Sequence, residues 1–288
     1  MQKYLRPLAW ATLIANIGII VTGGVVRLTG SGLGCDTWPR CNGEDFTPHA
    51  ELNHHSIIEF ANRMLTWVLV AIAIATVVAA WRTTHRRLTV AIACGIPAQA
   101  VIGGITVLAD LNPWIVSLHM VASLVIVSFA VLLLWRIYQP AGRVVTATTP
   151  IKALTIALAA TTAAVLYAGT VVTGAGPHAG DADAPRNGLS TLELSQVHAD
   201  LVCLLIGLTI GILALVWRTD ACTAALALFC VELGQGAIGW IQYFTDLPTV
   251  LVGFHMLGAG LTAAAAAWVF HAARTAQPVH SGQSGQVD

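Results

Sequence analysis

The chain has 288 residues, 56% of them hydrophobic and only 10% charged, with a mean hydropathy of +0.75. A soluble domain with that surface would aggregate, so the composition describes an integral membrane protein. Fourteen basic residues balance fourteen acidic ones, which leaves no electrostatic case for nucleic acid as a partner.

Eight apolar stretches are predicted to cross the bilayer, at 8–27, 56–80, 88–108, 114–135, 153–174, 194–217, 221–244 and 249–271. Each covers about 30 Å of hydrocarbon at about 1.5 Å per residue. The first follows Lys3 and Arg6 without a small-residue cleavage site, so it reads as a span rather than a removed signal peptide. It ends at Arg27, placed to pair with an anionic ligand or to snorkel to the interface. The connection 28–54 is rich in Gly, Pro, Asp and Asn and carries Cys35 and Cys41. In an oxidising compartment these would form a disulfide, as a structural staple or as a redox-active pair.

Span two opens with His54 and His55. On a helix His55, Glu59 and Asn62 fall at i, i+4 and i+7, on one face, with Arg63 beside them. Glu59 is the carboxylate of that face; the plain reading is an interfacial acid near a helix N-terminus. Span four carries His119, span six His198 with Asp200 following, and span eight His255. Span seven carries Glu232, an expensive acid in mid-membrane that suggests a proton path or a buried hydrogen bond. Cys94, Cys203, Cys222 and Cys230 are expected to be small apolar packing residues. His178, in the 175–193 connection, is a loop residue of little weight. The residues from 276 to 288 are expected to form a disordered cytoplasmic tail.

Basic residues set the orientation. Lys3, Arg6, Arg82, Arg86, Arg87, Arg136, Arg143, Lys152, Arg218 and Arg274 fall on one side; Arg27, Arg40 and Arg186 fall on the other. That asymmetry puts both termini in the cytoplasm and the two long connections outside.

The second half repeats the first. Residues 94–120 and 230–256 align without a gap at a constant offset of 136, with 10 of 27 positions identical, including Cys94/Cys230, Gln99/Gln235, Gly103/Gly239, Asp110/Asp246 and His119/His255. Gly18 to Gly23 likewise resembles Gly169 to Gly174. The predicted fold class is an all-α membrane protein whose eight transmembrane helices form two four-helix bundles related by a pseudo-twofold. The halves are 1–142 and 143–275.

An ionisable ring placed twice at matched depth calls for metal or cofactor ligation. His198 and His255 stand on two helices of one bundle, an arrangement that holds heme iron from both sides. The offset of 136 carries His198 onto Asn62, a poor iron ligand. The N-terminal site therefore has His119, Asn62 and Glu59, with either an open position or His55 reaching in.

The run Val21 to Gly43, containing Arg27, Cys35 and Cys41, resembles the first external loop of bacterial heme A synthases. The run Glu51 to Arg63 resembles the family's second span. The resemblance covers nearly the whole chain. It implies an oxidoreductase that converts a ring methyl of heme O to a formyl group through successive hydroxylations, giving heme A for terminal oxidases of the cell membrane. It implies heme O and heme A as substrate and product in the N-terminal half, and heme b as cofactor in the C-terminal half. By motif Glu59 would be the essential acid, His119 a ligand of the substrate heme, and His198 and His255 the ligands of heme b. Cys35 and Cys41 would be the loop pair. Arg27, His55, Asn62 and Arg63 would line the heme sites. The enzyme that makes heme O, and a second copy of this chain, are the protein partners the reading leaves open.

Two departures stand out. The family pattern has His where this chain has Asn62, and the 175–193 connection lacks the second cysteine pair that some members carry. The alternative reading is a membrane b-type cytochrome for quinol-linked electron transfer. It accounts for the histidines but not for Glu59 and Asn62 standing against Ser195 and His198. A transporter built on parallel repeats would show helices broken in mid-membrane, and a thiol oxidant would rest on one loop pair alone.

Overall fold

The computed structural model describes residues 2–41, 45–47, 54–139 and 147–277. A short 3-10 turn, Gln2–Tyr4, leads into eight α-helices: α1 (Leu5–Leu28), α2 (His54–Ala80), α3 (Arg86–Leu108), α4 (Pro113–Tyr138), α5 (Thr149–Ala175), α6 (Thr191–Val216), α7 (Cys222–Phe244) and α8 (Thr249–Arg274). The described residues contain no β-strand. The helices run from 23 to 27 residues, about 35–40 Å, and all eight are long and apolar enough to cross a membrane. The 276–288 tail lies almost wholly outside the described residues.

Local chemistry sets the starts. Pro113 opens α4, and the Asn112 side chain accepts from the Trp114 N–H. Ser190 caps α6 by accepting from the Glu193 N–H. Both satisfy donors that a helix N-terminus leaves free. The outer surfaces stay apolar: Ile14, Trp67, Trp240 and Phe254 are exposed, as helices facing lipid require.

In the first half α1 packs on α2, α2 on α3, α3 on α4 and α4 back on α1; α5 to α8 close in the same order. The halves meet through α4 on α8, α1 on α8 and α4 on α5. That set of neighbours maps onto itself when α1–α4 are exchanged for α5–α8, as a twofold would require.

The repeat extends to backbone detail. Asp110 and Leu111 adopt positive φ of 50° and 58°, and Asp246 and Leu247 both adopt 55°. Leu111 N–H donates to the Thr106 carbonyl at 2.8 Å, and Leu247 N–H to the Gln242 carbonyl at 3.1 Å. Donors and acceptors are each 136 residues apart. Left-handed backbone costs a non-glycine residue about 1 kcal/mol or more. In the first copy the turn lets Leu111 reach a small apolar cluster with Ala179 and Ala184.

The densest packing lies away from the loops that follow α1, α3, α5 and α7. Leu158, Leu205, Ile212, Leu228 and Val269 form one cluster. Leu13, Ile92, Leu124, Val127 and Leu133 form another, joined by Ala263 of α8. His119, His198 and His255 belong to neither. The four cysteines expected in the packing are placed otherwise: Cys94, Cys203 and Cys230 are exposed and Cys222 is half-buried. With lipid rather than water outside, a small apolar side chain gains little from facing inward.

Candidate functional site

Counting from the loop ends of their helices, His119 lies six residues into α4, His255 six into α8, His198 seven into α6 and Asn62 eight into α2. All four therefore sit about 9–12 Å below the loops. Each histidine lies over a glycine of the neighbouring helix. A Cβ added at Gly103 of α3 would meet His119 Cε1 at 3.2 Å. One at Gly169 of α5 would meet His198 Cε1 at 3.2 Å, and one at Gly239 of α7 would meet His255 Cε1 at 3.5 Å. The glycines let a helix backbone come close enough to fix the ring's plane.

In all three rings Nδ1 is buried without a hydrogen-bond partner, which leaves Nε2 as the nitrogen a ligand can reach. The Val165 carbonyl lies beside the His198 ring without forming a well-made hydrogen bond to it. His198 on α6 and His255 on α8 lie at matched depth in one bundle. The C-terminal half thus carries its two histidines at one depth on diagonally placed helices. This donor set fits a heme held between imidazoles, with one nitrogen of each ring left for a ligand and a glycine floor under each.

The N-terminal half is built differently. Asn62 accepts from the Thr22 hydroxyl of α1 at 2.7 Å. Glu59, only 5% exposed, accepts from the Cys35 N–H at 2.7 Å and from Arg63 Nε at 3.1 Å, and forms an ion pair with the Arg63 guanidinium. Arg63 also donates to the carbonyls of Thr37 at 3.0 Å, Cys35 at 3.1 Å and Arg40 at 3.3 Å. Its donors are therefore committed to Glu59 and the loop rather than left for a ligand.

The loop from Cys35 to Cys41 is closed by a disulfide with a Cα–Cα distance of 4.4 Å, and both cysteines are buried. It is docked on α2 and α3. Gly34 lies on the first turn of α2, where a Cβ would come within 2.5 Å of the His55 backbone. His55 shares a 3.0 Å hydrogen bond with Ser31. Trp38 rests on Gly104 of α3, where any Cβ would collide with the indole. Gly104 adjoins Gly103, the glycine under His119. Sequence reasoning missed this contact; the paired Gly103–Gly104 was the available signal.

Arg27 reaches across to the other half, donating to the carbonyls of Thr173 at 2.9 Å and His178. His178 in turn bonds the Leu247 carbonyl at 3.0 Å, and Gly32 N–H bonds the Gly180 carbonyl at 2.7 Å. His178, given little weight on sequence, ties the loops of the two halves together. Glu232 is buried, with Thr209 donating to its Oε1 at 2.8 Å and Oε2 left without a partner.

The COX15-CtaA family model, described as cytochrome oxidase assembly protein, matches residues 6–186. The protein named Heme A synthase in Bacillus pumilus is 33% identical over 141 residues, 46% of this chain and 44% of that protein. The one in Bacillus licheniformis is 34% identical over 140 residues, 46% and 45% of the two chains. The one in Listeria welshimeri is 30% identical over 150 residues, 48% and 47%. The chain thus spans a little under half the length of these curated relatives.

Proposed function

Because the chain belongs to the COX15-CtaA family of cytochrome oxidase assembly proteins, we propose that it is itself a heme A synthase of the cell membrane. In this reading heme O is the substrate, its ring methyl is oxidised to a formyl group through successive hydroxylations, and heme A is the product. The half 1–142 holds the substrate heme and the half 143–275 holds heme b. Both termini face the cytoplasm, which puts the disulfide loop outside. The enzyme that makes heme O is the natural donor of so insoluble a substrate, and a second copy of this chain is the other partner to test for.

The observation that carries the reading is the broken symmetry of the repeat. His198 and His255 stand at matched depth on α6 and α8 of one half, while the other half carries His119 with Asn62, Glu59 and a docked disulfide loop. The paired imidazoles would hold heme b by Nε2, and heme b supplies one-electron transfer when bound. His119 would hold the substrate heme by the same nitrogen. Loss of a hydride equivalent, two electrons and a proton, from a ring methyl to an external electron acceptor would leave a carbon with cationic character. A buried carboxylate lowers the energy of that charge or takes the proton released when water adds. Glu59 is the buried carboxylate of this half, held by the Cys35 N–H and by two nitrogens of Arg63. The b-type cytochrome reading uses the His198–His255 pair equally well, but it leaves Glu59 and the loop without work.

Heme extraction with mass detection tests the proposal. The chain purified from cells that make heme O is expected to carry heme b together with heme O or heme A. Heme b alone, unchanged when heme O is supplied, would establish the cytochrome instead.

A further inference from the structure

The internal repeat offers four equivalent positions for an imidazole over a helix glycine, and three are filled: His119 over Gly103, His198 over Gly169 and His255 over Gly239. The fourth pairs Asn62 of α2 with Gly18 of α1, the counterparts of His198 and Gly169. A Cβ added at Gly18 would meet nothing within 4 Å, so the shorter side chain leaves open the place that a ring occupies in the other half. The threonine one turn on from each glycine also differs. Thr173 hydrogen-bonds back to the Gly169 carbonyl at 2.7 Å. Thr22 has its shorter contact with Asn62 Oδ1, to which it donates at 2.7 Å, while the Ile19 carbonyl of its own helix lies farther, at 3.3 Å.

That bond has a chemical consequence. A carboxamide whose oxygen is engaged by Thr22 presents its NH2 group, two donors and no lone pair for iron. Among the described residues no acceptor engages that group, and it is not fully buried. We propose that the N-terminal site holds its heme through His119 alone and keeps the opposite face as a binding site for a small diatomic ligand of the dioxygen class, with Asn62 as hydrogen-bond donor and Thr22 as the residue that orients it. Asn62 is a ligand-binding residue in this proposal and Thr22 a positioning one. The proposal rests on the functional reading above, because it needs the substrate heme in that half.

Carbon monoxide is the probe. The full chain in detergent, loaded with heme O and reduced with dithionite, is titrated with carbon monoxide and followed by optical and infrared spectra. The heme content is measured on the same sample. The expected result is that the heme O fraction binds the gas while heme b, closed by His198 and His255, does not. Asn62→His is expected to abolish gas binding and convert heme O to a low-spin spectrum, with heme b unchanged as the control for folding. Thr22→Val is expected to retain gas binding but to raise the C–O stretching frequency and speed gas release about tenfold, the loss of one oriented hydrogen bond of about 1.4 kcal/mol. Heme O bound in the wild-type chain as a low-spin, gas-inert species would overturn the inference and leave the functional reading standing. A chain that binds heme b but never heme O would overturn both. Unchanged stretching frequency and release rate in Thr22→Val would overturn the assigned role of Asn62.

Discussion

Glu59 is where chemistry and architecture are hardest to separate, and two substitutions separate them. The carboxylate accepts from the buried Cys35 N–H and from two nitrogens of Arg63, a side chain 18% exposed. Glu59→Ala removes all three contacts. It leaves the Cys35 N–H buried without an acceptor, at about 1–3 kcal/mol, and takes from Arg63 its counter-ion. The guanidinium keeps its carbonyl acceptors at Thr37, Cys35 and Arg40, so the total is held to about 3–5 kcal/mol, typical of breaking a partly buried pair. Glu59→Gln keeps one acceptor oxygen and most of the volume, and should cost about 1–3 kcal/mol. Loss of turnover in Glu59→Ala is therefore ambiguous, because the disulfide loop is released together with the charge.

Glu59→Gln should retain both hemes, resist thiol reduction nearly as well as wild type, and lose turnover by at least about a hundredfold, the range of a general acid or base. Glu59→Ala should lose turnover as well. In addition its Cys35–Cys41 bond should be reduced by a mild thiol roughly a hundredfold faster, if about 3 kcal/mol of loop docking is gone. Heme content, product by mass detection and alkylation of the two cysteines are the measurements. Turnover in Glu59→Gln within a few-fold of wild type would refute the reasoning and make the carboxylate a fastener for the loop.

Three further outcomes follow from the packing. Gly104→Ala places a methyl where Trp38 sits and should undock the loop, seen as faster disulfide reduction with heme b retained; unchanged reduction would mean that the indole is not what anchors it. The double substitution Thr209→Val with Glu232→Leu replaces a half-satisfied buried polar pair by apolar groups and should leave the melting temperature equal or slightly higher. A loss of several kcal/mol would mean that Glu232 Oε2 has a partner in the working protein. His255→Ala should remove heme b, measured by extraction, and leave heme O bound; loss of both hemes would mean that the two sites do not bind independently.

Much of the fold was legible because the bilayer imposes a simple rule. A span must be apolar for about twenty residues, and the chain obeys it eight times. The boundaries differ by a few residues where capping or interfacial residues extend a helix: the span expected at 153–174 begins at Thr149, ahead of Pro150. The duplication was legible in the spacing of Gly, Asp and His, and the paired left-handed turns at Asp110–Leu111 and Asp246–Leu247 carry it into the backbone. The contacts of the disulfide loop were not legible. Trp38 on Gly104 and Arg63 on the Thr37 carbonyl join residues with no periodic relation, and a loop of mixed composition offers no pattern to extend. The outward-facing cysteines were misread for another reason. Burial preferences learned from proteins in water lose their force when the solvent is hydrocarbon.

The duplication itself limits what the two halves can do. Copied bundles begin with the same depth, the same glycine floors and the same turns, so any difference in chemistry must come from side chains that break the copy. Four do so near the loop end of the N-terminal half: Glu59 stands against Ser195, Asn62 against His198, and Cys35 and Cys41 against a connection that contains no cysteine. Three of the four are linked directly, since the Cys35 N–H ends on Glu59 and the disulfide ties Cys35 to Cys41. The carboxylate cannot move without straining the loop, nor the loop without releasing the carboxylate. A change in the disulfide is therefore felt first at Glu59 and only through it at the proposed substrate-heme site. Reducing the bond in the wild-type chain should thus alter turnover more than it alters the heme b spectrum, because the His198–His255 pair shares none of these contacts.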